Sequence, residues 1–307
     1  MYSYKKLDNK LSSLGLTKTD LSNKLGISSR TIAKMAKGEK IADHVLNKIA
    51  SFLNCRKEDI VSYICDNHIL QILRDEKNAK ISGGLYHELQ IRMTYNSNHM
   101  EGSKLSEDQT RLIFDTRTID AGDGIPVDDI IETSNHFRCI DYAIDVALEP
   151  LSEDIIKHFH LLLKRGTKDS MLDWFRVGDY KRRANVVGGR ETCKPADVPN
   201  AMQKLIGDYL SKPSVTIDDI IKFHADFEYI HPFQDGNGRV GRLIAFKECL
   251  RWNIIPFLIE DAKKSFYYRG LSNWKQERGW LSDTCLDGQD TFRSILQMFD
   301  IPENGKT

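Results

Sequence analysis

Apolar residues recur along this chain at intervals of three and four positions, and this spacing predicts a mainly helical protein. Stretches that alternate apolar and polar residues, which would predict half-buried strands, are few. The 307 residues include only 8 prolines and 20 glycines, so few positions would interrupt a helix. The best hairpin candidate is the segment 183–189, RANVVGG. We therefore expect an all-α fold with one small β-hairpin.

The first 65 residues predict a separate small helical domain. Thr17 and Asp20 have the spacing of a capping box at a helix start, and Gly26 suits the left-handed end of the same helix. Ser28 then caps a second helix, and a third helix follows it. Two short helices joined by a tight turn that contains glycine are typical of a helix-turn-helix.

Charge is distributed unevenly between this domain and the rest of the chain. The chain has 44 basic and 44 acidic residues, yet residues 1–65 carry twelve lysines and arginines against six acids, a net charge of +6. Ser29, Arg30, Thr31 and Lys34 would lie on the outer face of the second helix, within reach of phosphates or base edges. Charge alone is explained more simply by a solvated lysine-rich surface. DNA is therefore a partner suggested by charge and helix arrangement together, and protein docking is the alternative.

The composition also bears on location. No apolar stretch reaches the roughly 18 residues of a membrane-spanning helix, and the N-terminus lacks the apolar centre of a secretory signal. The six cysteines, at positions 55, 65, 139, 193, 249 and 285, form no C-x-x-C pair. Free thiols in the reducing cytosol are the simplest interpretation. We expect a cytoplasmic protein with no membrane partner.

The segment 231–242, HPFQDGNGRVGR, carries most of the candidate chemistry. Apolar residues at helical spacing precede and follow it, which places it at a junction between two buried helices. Gly236 and Gly238 would let the backbone amides at the second helix's start approach an anion closely. Arg239 and Arg242 are three positions apart, so both guanidinium groups can face the same phosphates.

Three further side chains complete this set. Asp235 offers Mg²⁺ a hard oxygen ligand, Asn237 offers a phosphate oxygen an amide donor, and His231 has the pKa of a general base near neutral pH. A base beside a metal–triphosphate site indicates that a hydroxyl is deprotonated and then attacks phosphorus. A helix start of purely structural purpose explains any one of these residues, but not the whole set within twelve positions.

The same segment matches, at every defining position, the signature H-P-F-x-[D/E]-G-N-G-R-x-x-R, so the chain resembles Fic-domain proteins over about residues 80 to 300. The resemblance implies an all-helical Fic fold that transfers AMP from ATP to a Ser, Thr or Tyr hydroxyl of a protein. It implies that His231 is the base and that Asp235 holds Mg²⁺. Tyr268 lies where relatives line the adenine pocket, although an aromatic residue on a helix is more often part of the core. The nucleotide-binding residues implied are Gly236, Asn237, Gly238, Arg239, Val240, Gly241, Arg242 and Tyr268.

A second match lies about 130 residues earlier, in the segment 97–102, SNHMEG. It resembles the family's inhibitory motif, [S/T]-x-x-x-E-[G/N], in which the glutamate pairs with the second arginine of the signature. The resemblance implies that Ser97, Glu101 and Gly102 are regulatory, and that Glu101 pairs with Arg242 and keeps the γ-phosphate from binding productively. It also implies that the predicted hairpin is the family's flap, which aligns a target segment as an added strand.

The N-terminal segment resembles a Cro/repressor-type helix-turn-helix. The predicted organisation is a helix-turn-helix domain at 1–65, a linker and inhibitory helix region at 66–110, and a Fic catalytic domain at 111–300. The leading prediction is an autoinhibited protein adenylyltransferase that uses ATP and Mg²⁺ and modifies a target protein or itself. The alternatives are a Fic enzyme that uses another nucleotide or removes AMP, and a DNA-binding regulator whose Fic-like body senses ATP. A homo-oligomer is compatible with each of these.

Overall fold

The chain is mainly α-helical, which confirms the predicted fold class. Among its described residues, a computed structural model contains fourteen α-helices and two short antiparallel pairs of strands. The chain divides into two compact units, Met1–Asp66 and Asn67–Thr307. No helix within the described ranges is long and apolar enough to cross a membrane. The ranges that the structure describes are 2–39, 41–63, 67–120 and 124–303.

The first unit contains the predicted pair of capped helices. The Thr17 side chain accepts a hydrogen bond from the Asp20 amide, and the Asp20 carboxylate accepts one from the Thr17 amide. Gly26 ends this helix with φ of 63°, and Ser28 caps the next helix at the Thr31 amide. The elements of the unit are β1 (Tyr2–Ser3), α1 (Lys5–Ser13), α2 (Lys18–Leu25), α3 (Ser29–Ala36), α4 (Asp43–Phe52) and β2 (Ser62–Tyr63).

The core of this unit is apolar and includes the fully buried Leu7, Leu21 and Ile49. On α3, Ser29 and Arg30 are exposed. The helix α1 and the β1–β2 sheet were not predicted from the sequence.

The second unit is a helical body with one hairpin. In the hairpin, β3 (Val186–Val187) pairs antiparallel with β4 (Arg190–Glu191) across a Gly188–Gly189 turn in which both glycines have positive φ. The predicted hairpin is therefore confirmed. The helices are α5 (His68–Ala79), α6 (Leu85–Met100), α7 (Glu107–Thr116), α8 (Val127–Asp145), α9 (Glu153–Lys164), α10 (Val198–Leu210), α11 (Ile217–Ile230), α12 (Asn237–Arg251), α13 (Lys264–Ser272) and α14 (Gly279–Met298).

Helix α12 lies at the centre of this body. It is buried along almost its whole length and packs against α6, α8, α9 and α11. Helix α11 begins at a capping box formed by Thr216 and Asp219 and leads into the segment 231–236, so the signature segment is fixed between two packed helices. The five cysteines within the described residues are free thiols, and Cys65 lies outside those residues.

Candidate active site

His231 lies at the end of α11 with its backbone in the left-handed region, at φ of 51°. This conformation costs a non-glycine residue about 1 kcal/mol or more and persists only where surrounding contacts hold it. The side chain is 15% exposed. Burial lowers the pKa of His231 to about 4, and the charge of Lys181 acts in the same direction. His231 is therefore neutral at pH 7 and able to accept a proton.

The loop between α11 and α12 is held by a buried phenylalanine and an asparagine. Phe233 is fully buried and stacks on His160 with ring centroids 4.1 Å apart. The Phe233 amide donates to Asn237 Oδ1 at 2.8 Å, and Asn237 Nδ2 donates to the Phe233 carbonyl at 2.9 Å. Both ends of the Asn237 amide therefore hold the loop, and the donor predicted for a phosphate oxygen is already in use.

Asp235 belongs to a cluster of charges that sequence reasoning missed. Lys164 Nζ lies 2.6 Å from Asp235 Oδ2, 2.5 Å from Glu132 Oε1 and 3.3 Å from Asp169 Oδ2. Arg239 pairs with Glu132 and lies 3.5 Å from Asp235. Burial would raise the pKa of Asp235, but the Arg239 and Lys164 cations outweigh burial and hold it at about 2. Asp235 is therefore ionised at any physiological pH.

This donor set fits Mg²⁺ through one protein ligand. The Asp235 side chain is 52% exposed although one of its oxygens contacts Lys164. Mg²⁺ normally takes one or two protein carboxylates and completes its shell with water and phosphate oxygens, which suits a single ionised aspartate. Within the described ranges, no group of three or more His, Cys, Asp or Glu residues is arranged to hold a metal ion.

The end of α6 holds Arg242 from the opposite side of the site. Arg242 Nε donates to Ser97 Oγ at 3.0 Å, and Nη2 donates to the Ser97 carbonyl at 3.0 Å and to Glu101 Oε1 at 2.8 Å. Burial disfavours the charge of Arg242, but the Glu101 carboxylate outweighs it and raises the pKa of Arg242 above its usual value. Nη1 is buried and has no partner among the described atoms. The structure thus brings together three residues that lie up to 145 positions apart.

The Glu101 carboxylate lies directly against the first turn of α12. A Cβ added to Gly238 would lie 2.2 Å from Glu101 Oε1, so only glycine leaves room for this contact. Gly102, with φ of 98°, follows Glu101, and the Tyr268 hydroxyl donates to the Met100 carbonyl at 3.0 Å. The N-terminus of a helix favours negative charge, so Glu101 occupies a position that also suits an anionic ligand.

A cavity of about 140 Å³ joins the base to this carboxylate. Val240, predicted to contact nucleotide, is fully buried in the core. Gly241 packs against Glu228 and His224 on α11. Residues that line the cavity include Glu101, Arg190, Glu228, His231, Gly238 and Tyr268.

Two further residues beside His231, the half-buried Glu228 and the buried Lys181, were not predicted from the sequence. Glu228 Oε2 lies 3.9 Å from His231 Nδ1, and burial, with a smaller effect from Glu101, raises the pKa of Glu228 to about 8. Lys181 contacts the backbone next to His231, with Nζ 3.4 Å from the Ile230 carbonyl. Glu228 was within reach of sequence reasoning because it precedes His231 by three positions on α11. Lys181 carries no such signal.

Two family profiles match separate parts of this chain. The Fic/DOC family profile matches residues 150–248, and the Cro/C1-type HTH DNA-binding domain profile matches residues 6–66. The chain is 25% identical over 250 residues to the protein adenylyltransferase Fic of Aedes aegypti, covering 78% of this chain and 46% of that protein. It is 26% identical over 231 residues to the protein of the same name from Drosophila virilis, covering 70% and 46%. The chain thus spans less than half the length of these relatives.

Solved structures give the same result for the fold. A Fic domain containing signaling protein from Bacteroides thetaiotaomicron VPI-5482 superposes with a TM-score of 0.57 at 25% identity, covering 76% of this chain and 88% of that one. A Fic family protein from Desulfovibrio desulfuricans G20 superposes with a TM-score of 0.58 at 21% identity, covering 77% and 76%. The second likeness concerns the fold alone.

Proposed function

We propose that this chain, which contains a Fic/DOC-family domain and a Cro/C1-type helix-turn-helix domain, is an autoinhibited protein adenylyltransferase. Its reaction transfers AMP from ATP to a Ser, Thr or Tyr hydroxyl of a target protein or of the chain itself. One observation carries the proposal: a neutral histidine and a glutamate that pairs with the buried Arg242 line one cavity above the first turn of α12. A low-identity likeness to proteins named protein adenylyltransferase supports it.

In the proposed reaction His231 is the general base. Its neutral imidazole accepts the proton of the target hydroxyl as the hydroxyl oxygen forms a bond to the α-phosphorus of ATP. The bond from that phosphorus to the bridging oxygen breaks, and pyrophosphate leaves. Because burial lowers the pKa of His231 to about 4, the base form is complete at neutral pH, and the protonated form gives up its proton readily.

The phosphates bind at the first turn of α12 in this proposal. The Gly236 and Gly238 backbone lies at the helix N-terminus, and Arg242 supplies a buried guanidinium. Asp235 would hold Mg²⁺, which supplies charge neutralisation to the phosphates when bound. Arg239 is held by Glu132 and Asp235, so it orients the carboxylate of Asp235 rather than remaining free.

Inhibition follows from competition for one guanidinium. The Glu101 carboxylate contacts Arg242 and lies over Gly238, where the distal phosphates of ATP would otherwise be held. Like charges at this distance repel, so the γ-phosphate and the carboxylate exclude one another. The proposed resting state is therefore inactive until Glu101 moves.

The test is mass spectrometry of a Glu101→Gly variant incubated with Mg²⁺–ATP. We expect an added AMP mass on the chain itself or on lysate proteins, at a level well above the wild type. Glu107→Gly is a matched control, since Glu107 lies on the next helix and its one ion-pair partner among the described residues is Arg111, at 3.7 Å. Equal activity of all three proteins contradicts the inhibition, and transfer seen only from GTP, CTP or UTP contradicts the choice of nucleotide.

A second proposed function concerns the first unit, which would bind DNA. The family profile at residues 6–66, the net charge of +6 and the exposed Arg30 on α3 favour it. Each lost phosphate contact should decrease the steepness of the fall of log affinity with log salt by about 0.9. We expect that decrease for Arg30→Ala in the full chain, but not for Lys204→Ala, an exposed lysine of α10. Absence of salt-sensitive binding to every duplex tested indicates a protein-docking surface.

A further inference from the structure

The two ends of the β3–β4 hairpin meet at one buried lysine. The Lys181 side chain is nearly inaccessible, at 3% exposure. Its Nζ lies 2.8 Å from Asn185 Oδ1 and 2.5 Å from Thr192 Oγ1. Asn185 immediately precedes β3 and Thr192 immediately follows β4, so a single ammonium group fixes both ends of the hairpin.

The same lysine and its neighbours also fix the backbone around His231. Lys181 contributes two of these bonds, and the hairpin contributes two more, so the bonds lie on both sides of the histidine. The donors and acceptors are Lys181 Nζ to the Ile230 carbonyl at 3.4 Å, the Lys181 amide to the Pro232 carbonyl at 2.9 Å, Asn185 Nδ2 to the Phe233 carbonyl at 3.3 Å, and Arg190 Nη1 to the Tyr229 carbonyl at 3.2 Å.

This arrangement explains how the backbone of His231 keeps its left-handed conformation. A strained residue persists where its surroundings determine the chain on both sides, and here the carbonyls before and after His231 are both held. The geometry of the base therefore depends on contacts that also determine the geometry of the hairpin.

The charge of Lys181 is unusual for a buried lysine because the three oxygens that its Nζ contacts, among the residues the structure describes, are all uncharged. Burial lowers the pKa of Lys181 to about 8. The ammonium group in turn disfavours the imidazolium form of His231. Lys181 thus affects His231 in two ways: its hydrogen bonds fix the backbone on both sides of His231, and its positive charge acts on the imidazole electrostatically.

We propose that Lys181 is a positioning residue that couples the hairpin to His231. Lys181 fixes the position of the hairpin edge relative to His231, and a target segment would add to that edge as a strand. Its positive charge favours the neutral imidazole of His231. This inference rests on the proposed transferase function for its role in catalysis, while the coupling itself is a property of the fold.

Several other charged groups face this pair and take part in its titration. Cys193 and Arg190 face Lys181 from the hairpin side. Glu101 and Arg190 act on His231 from the end of α6 and from β4. On α11 the Glu228 backbone acts on His231, and the Glu228 carboxyl lies 3.9 Å from His231 Nδ1. A shift in the titration of His231 is therefore assigned to Lys181 only when the two proteins compared differ at Lys181 alone.

The experiment compares Lys181→Met and Lys181→Arg with a control, Lys157→Met, in the full chain carrying Glu101→Gly. Lys157 lies on α9 and contacts Glu153, Asp179 and the Tyr180 ring, and none of its contacts within the described ranges is with the hairpin or His231. Three quantities are measured: the pKa of His231 by histidine-selective NMR titration, hydrogen exchange of the Thr192 amide, and the single-turnover rate of self-modification beside the dissociation constant for Mg²⁺–ATP.

For Lys181→Met we expect the pKa of His231 to rise by at least about 0.5, because a nearby positive charge is removed. Exchange at Thr192 should become faster, and self-modification should slow by about tenfold with the Mg²⁺–ATP dissociation constant unchanged, since a misplaced base costs rate rather than nucleotide affinity. Lys181→Arg should restore the pKa of His231, and Lys157→Met should leave all three quantities unchanged.

An unchanged pKa of His231 and unchanged exchange at Thr192 in a folded Lys181→Met protein overturn the coupling. A rise in the dissociation constant for Mg²⁺–ATP that accounts for the loss of rate overturns the positioning role. If the Glu101→Gly parent transfers no AMP, the proposed transferase function fails, and the NMR and exchange measurements still decide the coupling.

Discussion

Two arginines of α12, one turn apart, each contact a glutamate, Glu132 on α8 and Glu101 just after α6, and the two pairs differ in what surrounds them. Arg239 and Glu132 have side-chain exposures of 5% and 15%, and Lys164 joins them with Asp235 as a further partner. Arg242 is also buried, at 9%, but Glu101 is 29% exposed and is the only carboxylate that contacts Arg242 among the described residues.

This difference separates a permanent contact from a removable one. Removing Glu132 would leave two buried cations short of a partner, which is costly in a medium of low dielectric constant. Removing Glu101 frees the Arg242 guanidinium to bind a phosphate, and Ser97 keeps its hydrogen bonds with Arg242. We therefore expect Arg239 to maintain the structure of the site, whereas Arg242 responds to the ligand.

The largest expected effect leaves both pairs intact. Replacing His231 by alanine in the Glu101→Gly chain should slow AMP transfer by about 10² to 10⁴, the usual loss when a general base is removed. The dissociation constant for Mg²⁺–ATP should stay near that of the parent, because both arginines remain. Near-normal transfer by this variant would show that His231 is not the base.

The next effect compares the two carboxylates by the free energy of unfolding. Glu132→Gln should lower it by about 3 kcal/mol, because a buried ion-pair network loses its central anion. Glu101→Gln should change it by less than about 1 kcal/mol, as expected for a partly exposed pair. Urea denaturation of both variants at neutral pH measures the difference.

The pH dependence of the free energy of unfolding is the control for the comparison of Glu132→Gln with Glu101→Gln. Burial raises the pKa of Glu132, but Arg239 and Lys164 outweigh it and lower it below 4.5. A lowered folded pKa means that the stabilisation is complete above about pH 4.5 and declines as pH falls below that value. The gap between wild type and Glu132→Gln should therefore shrink in acid. A constant gap, or equal losses for the two glutamate variants, contradicts the proposed contrast.

The third prediction concerns the arginine of the removable pair. Arg242→Ala should not reproduce the activation expected of Glu101→Gly, because it deletes the phosphate ligand together with the partner of Glu101. Loss of a charged hydrogen bond to phosphate should slow transfer by on the order of 10-fold relative to the Glu101→Gly protein, with or without Glu101. A fast Arg242→Ala protein would show that the guanidinium serves inhibition alone.

The two arginine–glutamate pairs also differ in how far the sequence predicted them. The segment 231–242 is contiguous, so its chemistry and its position between two helices are visible in the order of residues. The pairing of Glu101 with Arg242 followed from a family resemblance, and the structure has this contact at 2.8 Å. Glu132 and Lys164 carry no such pattern, since they reach the site from 107 and 71 positions away.

The fold shows the same limit. The all-α class, the capped helices of the first unit and the Gly188–Gly189 hairpin follow from local spacing and turn residues. Leu7 and Leu11, four positions apart, were a signal for α1 that the sequence reasoning did not use. The β1–β2 sheet joins two strands of two residues each, which is too short for alternation to be visible.

The smallest predicted effect comes from salt, and it addresses the exposure of Glu101 directly. Raising the ionic strength from about 0.05 M to about 0.5 M shortens the Debye length to a few ångströms, which weakens a partly exposed ion pair far more than a buried network. Since exposed pairs contribute about 1 kcal/mol or less, the activity ratio of Glu101→Gly to wild type should fall by roughly two- to fivefold. The ratio removes the effect of salt on ATP binding, because both proteins bind the same nucleotide through the same arginine.

A ratio that stays constant across this range would mean that Glu101 inhibits through its fit against Gly238 rather than through its charge. The variant Glu101→Gln, which keeps the shape of the side chain and loses the charge, would then be as inactive as wild type.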